Sequence, residues 1–149
     1  MLAEKIQNLF IEKKRTLACA ESCTGGLVAS TLVQIPEASL YFLGSVVSYA
    51  NSAKQKILKV TASSAVSESC ALQMAEGVRA LFDSDVATAT TGVAGPGGHP
   101  VGKVCFAIAF PDETLAWTEH FQGSRLEIIN QSSQRILERL YELCTSRQW

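Results

Sequence analysis

Apolar residues recur along the chain with two periods, and the two alternate. Leu2, Ile6, Leu9 and Phe10 fall at helical spacing, so a helix is expected over residues 2–14. Residues 16–20 are a short apolar run bounded by charge, which suits a buried strand. Residues 25–33 return to helix formers, and Pro36 stops them. Residues 40–49 are rich in aromatic and β-branched side chains and read as a strand. Asn51 is expected to cap a short helix reaching Leu58. A longer helix runs from Ser67 and Glu68 to Phe82, with Leu72, Ala75, Val78, Leu81 and Phe82 on one stripe. Residues 85–91 are the next strand, and a glycine- and proline-rich loop spans 92–102. Residues 104–110 and 115–121 read as a hairpin turning through Pro111, Asp112 and Glu113. Ser124 opens the last helix, with Ile128, Ile129, Ile136, Leu137, Leu140 and Cys144 facing inward.

Helix and strand alternate early, and a hairpin follows. That order predicts an α/β fold: a three-layer α/β/α domain with a mixed, mainly parallel sheet and a C-terminal hairpin plus helix. The 149 residues suit one domain over the whole length, 1–149, with no repeat or linker visible. Apolar residues make up 47% and charged residues 18%, a balance that excludes disorder as the main state. The net charge of -1 gives no basic footprint for nucleic acid. No apolar run reaches the roughly 18 residues of a membrane helix, and the mixed-charge N-terminus does not read as a signal peptide. Cys19, Cys23, Cys70, Cys105 and Cys144 are odd in number and lack CxxC spacing, so a reducing cytoplasm is the expected setting. Neither His99 nor His120 lies in a motif with metal-ligand spacing, so no metal and no cofactor is expected.

Three polar clusters interrupt the apolar pattern, each just after an expected strand. The first is Glu21-Ser22-Cys23-Thr24-Gly25-Gly26. A strand-to-helix junction aims backbone N–H groups and a positive dipole end at one point. A serine there can act as a nucleophile whose neighbours' N–H groups hold an oxyanion. A plain helix cap is the alternative. The second cluster, 48–54, brings Tyr49, Asn51 and Lys54 together. A buried lysine loses its proton near neutral pH and serves as a base, with a tyrosine beside it to relay the proton. A boundary tyrosine and a solvated lysine are the alternative. The third cluster is the glycine-rich stretch Thr91-Gly92-Val93-Ala94-Gly95-Pro96-Gly97-Gly98. It matches neither a dinucleotide fingerprint nor a P-loop, and a flexible connection is its alternative. Arg125 falls in the first turn of the last helix, where its charge opposes the dipole. An anionic ligand explains that placement, and a salt bridge to a carboxylate is the alternative.

In order, these segments resemble the CinA C-terminal domain family. The likeness rests on Ala20 with Glu21-Ser22-Cys23-Thr24-Gly25-Gly26, on the 47–54 segment, and on Ala65-Val66-Ser67-Glu68. It continues through Gly92-Val93-Ala94-Gly95-Pro96 with Pro100-Val101-Gly102, and ends at Phe121-Gln122-Gly123-Ser124-Arg125. The resemblance is to the stand-alone form, which includes nicotinamide-nucleotide amidases and is expected without the large N-terminal domain of full-length CinA proteins. The resemblance implies metal-independent hydrolysis of nicotinamide mononucleotide to nicotinic acid mononucleotide and ammonia, a step in pyridine-nucleotide recycling. It implies Ser22 as nucleophile, Tyr49 and Lys54 as its activating partners, and Arg125 as the phosphate ligand. Further candidate substrate-binding residues are Cys23, Thr24, Gly25, Gly26, Asn51, Thr91, Gly92, Ala94 and Gly95. The link after Gly98 is shorter than the family usually has, Lys103 stands where Thr is usual, and Ser45 replaces a frequent Gly or Arg.

The expected partners are a small-molecule mononucleotide and further copies of this chain in a homo-oligomer, with no nucleic acid and no membrane. Two other readings compete. One is a non-catalytic nucleotide- or partner-binding regulatory domain linked to competence or DNA damage. The other makes Cys23 the nucleophile, because a thiolate is intrinsically the better one. No histidine lies in the expected site to form that thiolate's partner.

Overall fold

A computed structural model describes residues 1–149. Its helices and strands follow the expected order. They are α1 (Leu2–Lys13), β1 (Leu17–Glu21), α2 (Leu27–Val33), β2 (Phe42–Val47), α3 (Asn51–Leu58), α4 (Glu68–Phe82), β3 (Val86–Gly92), β4 (Lys103–Ala109), β5 (Thr114–His120) and α5 (Arg125–Ser146). Two elements differ from expectation by more than one residue. The strand expected over 40–49 is shorter, because Ala38–Leu40 wind into a single 3₁₀ turn before it. The second helix starts at Leu27, because Gly25 and Gly26 both adopt left-handed φ and turn the chain before it can coil.

The five strands form one sheet in the order β2-β1-β3-β4-β5. β1 pairs in parallel with both β2 and β3, while β3–β4 and β4–β5 are antiparallel. Four strands therefore point one way and β4 returns against them. Helices α1, α2 and α5 cover one face over Leu17, Cys19, Val86, Val104, Phe106 and Ile108. Helices α3 and α4 cover the other, which makes the three layers.

The two faces differ in grain. The α4 face of the sheet is built from Ala18, Ala20, Ala87, Ala89, Cys105, Ala107 and Ala109. Small side chains let a helix lie close, and α4 answers with Cys70, Ala71, Met74, Ala75 and Val78, all buried. This stripe is rotated from the expected one: Leu72 is only half-buried and Leu81 is exposed. The spacing of Ala71, Met74, Ala75 and Val78 sets the contact face, and Leu81 falls off it. α5 buries Ile128, Ile136, Leu137, Leu140 and Cys144 as expected, while Ile129, also expected inward, is half-buried against the same core. Its start is fixed by a capping box, in which Ser124 Oγ accepts from the Glu127 amide and Glu127 Oε1 accepts from the Ser124 amide.

Gly77 of α4 lies against the C-terminal end of α3, where a Cβ would collide with the carbonyl oxygen of Leu58. Alanine is the better helix former by about 0.5–1 kcal/mol. Overpacking against backbone costs more, about 1–3 kcal/mol. Gly77→Ala is therefore expected to lower the melting temperature by about 2–8 °C. A thermal melt that stays level or rises would show that the end of α3 yields without cost.

Candidate active site

The parallel arrangement brings the carboxyl ends of β1, β2 and β3 to one edge of the sheet. The chain leaves β1 for β2 on one side, then crosses to β3 on the other. Ligands of open α/β sheets bind at such a reversal point. All three polar clusters lie there: Ser22 directly after β1, Tyr49 and Lys54 after β2, and Thr91 to Gly95 at the end of β3.

Ser22 and Lys54 meet. Lys54 Nζ donates to Ser22 Oγ at 3.0 Å and to the Tyr49 carbonyl oxygen at 3.2 Å. Lys54 is 3% exposed and Ser22 is 7% exposed. Burial pushes the Lys54 ammonium below its usual value of 10.5, while nearby Cys70 and Cys23 oppose the shift. Lys54 is the fourth residue of α3, whose N-cap is Ala50; Asn51 is the first helical residue and not the expected cap. Asn51 instead lines a narrow cavity of about 60 Å³ with Lys54, Gln55, Val60, Ser63 and Cys70. That space suits water and is far too small for a mononucleotide.

The Tyr49 phenol lies elsewhere. Its hydroxyl accepts from Arg125 Nη2 at 2.8 Å, and the ring is largely exposed. The structure thus brings the Tyr49 backbone to Lys54 and the Tyr49 side chain to Arg125. Arg125 Nη1 also donates to the Gly95 carbonyl oxygen at 2.7 Å. Arg125 takes part in none of the chain's ion pairs, so the salt-bridge alternative for it does not hold. Its guanidinium spans the glycine-rich loop, Tyr49 and the start of α5.

The turn after β1 is organised by Glu21, to which the sequence pattern assigns no role of its own. Glu21 is fully buried. Its Oε1 accepts from Thr24 Oγ1 (2.7 Å) and the amides of Gly26 (3.1 Å) and Val28 (3.0 Å). Its Oε2 accepts from the Ala29 amide (3.0 Å) and Ser45 Oγ (3.1 Å). The first amides of α2 are therefore occupied by a side chain of this protein, and the expected anion-binding helix end is closed. Thr24 caps Glu21 and not the helix. The amides of Cys23 and Thr24 donate to no other residue. A charge at the end of an otherwise apolar run was the available signal for Glu21.

Other expected residues fall at the edge with mixed exposure. Thr91 is buried and its hydroxyl donates to the Ala65 carbonyl oxygen at 2.6 Å. Gly92 ends β3, where a Cβ would meet the Lys103 carbonyl oxygen at 2.8 Å, so its smallness is needed for strand approach. Ala94 and Cys23 both pack into the core under α2 and α5. Burial pushes the Cys23 thiol up to about 12. A thiol so poorly ionised and so packed weighs against Cys23 as nucleophile.

These features define an α/β/α domain with a buried serine–lysine pair at the carboxyl edge of its parallel strands. The chain belongs to the CinA C-terminal domain family, whose sequence pattern matches residues 1–144. It is 41% identical to a CinA-like protein of Fervidobacterium nodosum, over 86% of this chain and 34% of that protein. It is 42% identical to a CinA-like protein of Sulfurihydrogenibium, over 97% of this chain and 39% of that one. The chain thus spans little more than a third of the length of these curated relatives. The crystal structure of the competence damage-inducible protein A of Klebsiella pneumoniae superposes with a TM-score of 0.95, at 33% identity, covering 99% of this chain and 97% of that one. A CinA superfamily protein of Escherichia coli gives 0.92 at 33% identity, over 95% and 88% of the two chains.

The buried lysine makes stability depend on pH in a known sense. Its folded-state pKa is lowered, so between that value and about 10.4 the unfolded chain holds a proton that the folded chain has lost. Unfolding free energy must rise with pH across this window. Lys54→Met removes the contribution. Urea melts from neutral pH to pH 10 are expected to show wild type gaining stability relative to Lys54→Met as pH rises. A constant difference would mean that Lys54 titrates alike in both states.

Proposed function

We propose that this chain is a serine amidohydrolase that converts nicotinamide mononucleotide to nicotinic acid mononucleotide and ammonia. The observation that carries the reading is the 3.0 Å approach of a buried lysine, shifted toward its neutral form, to the hydroxyl of Ser22. A neutral amine at that distance accepts the serine proton as Oγ attacks. Oγ bonds to the amide carbon, and the oxyanion takes the amides of Cys23 and Thr24, which donate to no other residue. The carbon–nitrogen bond then breaks, and Lys54 returns its proton to the departing ammonia. Water then attacks the acyl carbon as Lys54 takes its proton; the bond from that carbon to Ser22 Oγ breaks, and Lys54 returns the proton to Oγ, which frees the carboxylic acid and restores the serine. Lys54 is the base in this scheme. Tyr49 contributes its carbonyl to Lys54 and its phenol to Arg125. The pyridine mononucleotide is supported by the family resemblance and by Arg125, a cation held by two neutral acceptors and open to a phosphate.

Release of ammonia from nicotinamide mononucleotide tests the reading directly. Wild type is expected to release it, Ser22→Ala to release none while staying folded, and Cys23→Ala to remain active. Lys54→Arg is expected to be nearly inactive, because a guanidinium keeps its proton. The rate should rise with pH through the lowered lysine pKa and then level off. A wild type that binds the mononucleotide and releases no ammonia would favour a regulatory binding domain instead.

Arg125→Ala is expected to raise KM by about 10–100-fold and to change kcat less, because a phosphate contact remote from the amide binds ground and transition states alike. Tyr49→Phe should follow it in kind with a smaller effect. Steady-state kinetics check both, and an Arg125→Ala variant with unchanged KM would assign Arg125 to structure.

A further inference from the structure

Glu21 carries a charge in the middle of the molecule with no cation beside it. It has no ion pair, and all five groups that touch its carboxylate are hydrogen-bond donors. Three are backbone amides and two are hydroxyls. Only a group that accepts at both ends satisfies such a shell. Glutamine offers one oxygen and one NH₂, so in either orientation an amide of α2 would face a donor. A buried donor left unpaired is costly, which makes the carboxylate hard to replace.

The donors come from three parts of the site. Thr24, Gly26, Val28 and Ala29 belong to the turn and α2, and Ser45 belongs to β2. A fourth link reaches β3. Thr24 has one hydroxyl proton, and it goes to Glu21; the 2.8 Å contact between Thr24 Oγ1 and Thr90 Oγ1 is then donated by Thr90. The backbone repeats the pattern: the Ser48 amide donates to the Glu21 carbonyl oxygen at 2.8 Å, and the Ser22 amide donates to the Thr90 carbonyl oxygen at 3.0 Å. Glu21 and Ser22 are thus held from both neighbouring strands at once. In this turn the amides of Cys23 and Thr24 are the pair that donates to no other residue.

We infer that Glu21 is a positioning residue for the nucleophile, an inference that rests on the serine reading of the site. Its carboxylate, through Thr24 and the α2 amides, fixes the turn in which Ser22 Oγ meets Lys54 and the next two amides stay open for an oxyanion. The same carboxylate occupies the start of α2. An anionic part of the substrate is therefore excluded from that helix end and directed to Arg125, so the amide is presented to Ser22 and the phosphate lies away from it.

The test compares Glu21→Gln, Thr24→Val and Thr24→Ser with wild type. Two rates are measured: turnover of nicotinamide mononucleotide, and labelling of Ser22 by a fluorophosphonate, followed by intact mass. Misplacing a reacting group by about an ångström costs on the order of 100-fold. Glu21→Gln and Thr24→Val are expected to lower kcat and the labelling rate by about 10–100-fold, with KM within about threefold. Thr24→Ser, which keeps the hydroxyl, should recover most of what Thr24→Val loses. Thr24→Val leaves the buried charge in place, so it decides the matter if Glu21→Gln does not fold. Folded variants that melt lower yet turn over and label at wild-type rates would overturn the inference and leave Glu21 a structural cap. A wild type that labels at Ser22 but does not hydrolyse the mononucleotide removes the substrate reading alone, and the order of labelling rates still judges Glu21. No labelling and no turnover in wild type would overturn both.

Discussion

Everything at the candidate site follows from the placement of β1 between β2 and β3, parallel to both. A strand in that position is covered on both faces, and all five residues from Leu17 to Glu21 are buried. Parallel neighbours require crossovers, and the crossovers from β1 leave to one side and return on the other. Three carboxyl ends then terminate side by side. Residues separated by more than sixty positions, such as Ser22 and Thr90, become hydrogen-bonded neighbours. The antiparallel hairpin of β4 and β5 widens the sheet, and the link into it supplies the Gly95 carbonyl oxygen on which Arg125 rests.

A carboxylate and an amine are both buried at this edge, and their surroundings treat them differently. Glu21 meets five donors and no acceptor. Lys54 meets a hydroxyl and a carbonyl, both neutral, and no carboxylate. Removing an ammonium from water with so little compensation disfavours its charged form, which is why burial dominates the downward shift. The shell of Glu21 builds a rigid turn, and the thin shell of Lys54 leaves an amine able to take a proton. The mechanism proposed for Ser22 needs both, a fixed hydroxyl and a lysine that is not held charged.

The elements were legible in the sequence because each has a strong period or a clear stop. Pro36, the left-handed Gly25 and Gly26, and Ser124 mark ends by local chemistry. The position of the site was legible for a similar reason: polar clusters followed three successive apolar strands. Directions of side chains were not legible. Nothing local tells that Tyr49 turns its phenol to Arg125, seventy-six positions away, and gives only its carbonyl to Lys54. The stripe of α4 was misjudged for the same reason, since the alanine face of the sheet selects which small residues meet it. Glu21 stands in the first polar cluster, but its role is not legible there, because glutamate is normally exposed and only the parallel pairing of β1 shows that this one has no route to water.

Closing the start of α2 also limits how an anion could be recognised at this edge. A helix N-terminus offers amides and a dipole, and here both are used by Glu21 within the chain. The start of α5 is likewise occupied, by its own Ser124 and Glu127. Neither helix end is left to serve as a backbone cradle. What the edge offers an anion is therefore a side chain, Arg125, with two of its donors anchored to Gly95 and Tyr49 and the others unengaged. Anchoring a guanidinium on neutral acceptors fixes its plane without cancelling its charge. A planar, fixed cation is suited to phosphate geometry in a way that a free lysine is not. On the proposed reading the labour is divided: backbone amides beside Ser22 would meet charge that develops during reaction, and the Arg125 side chain would meet charge that the substrate already carries.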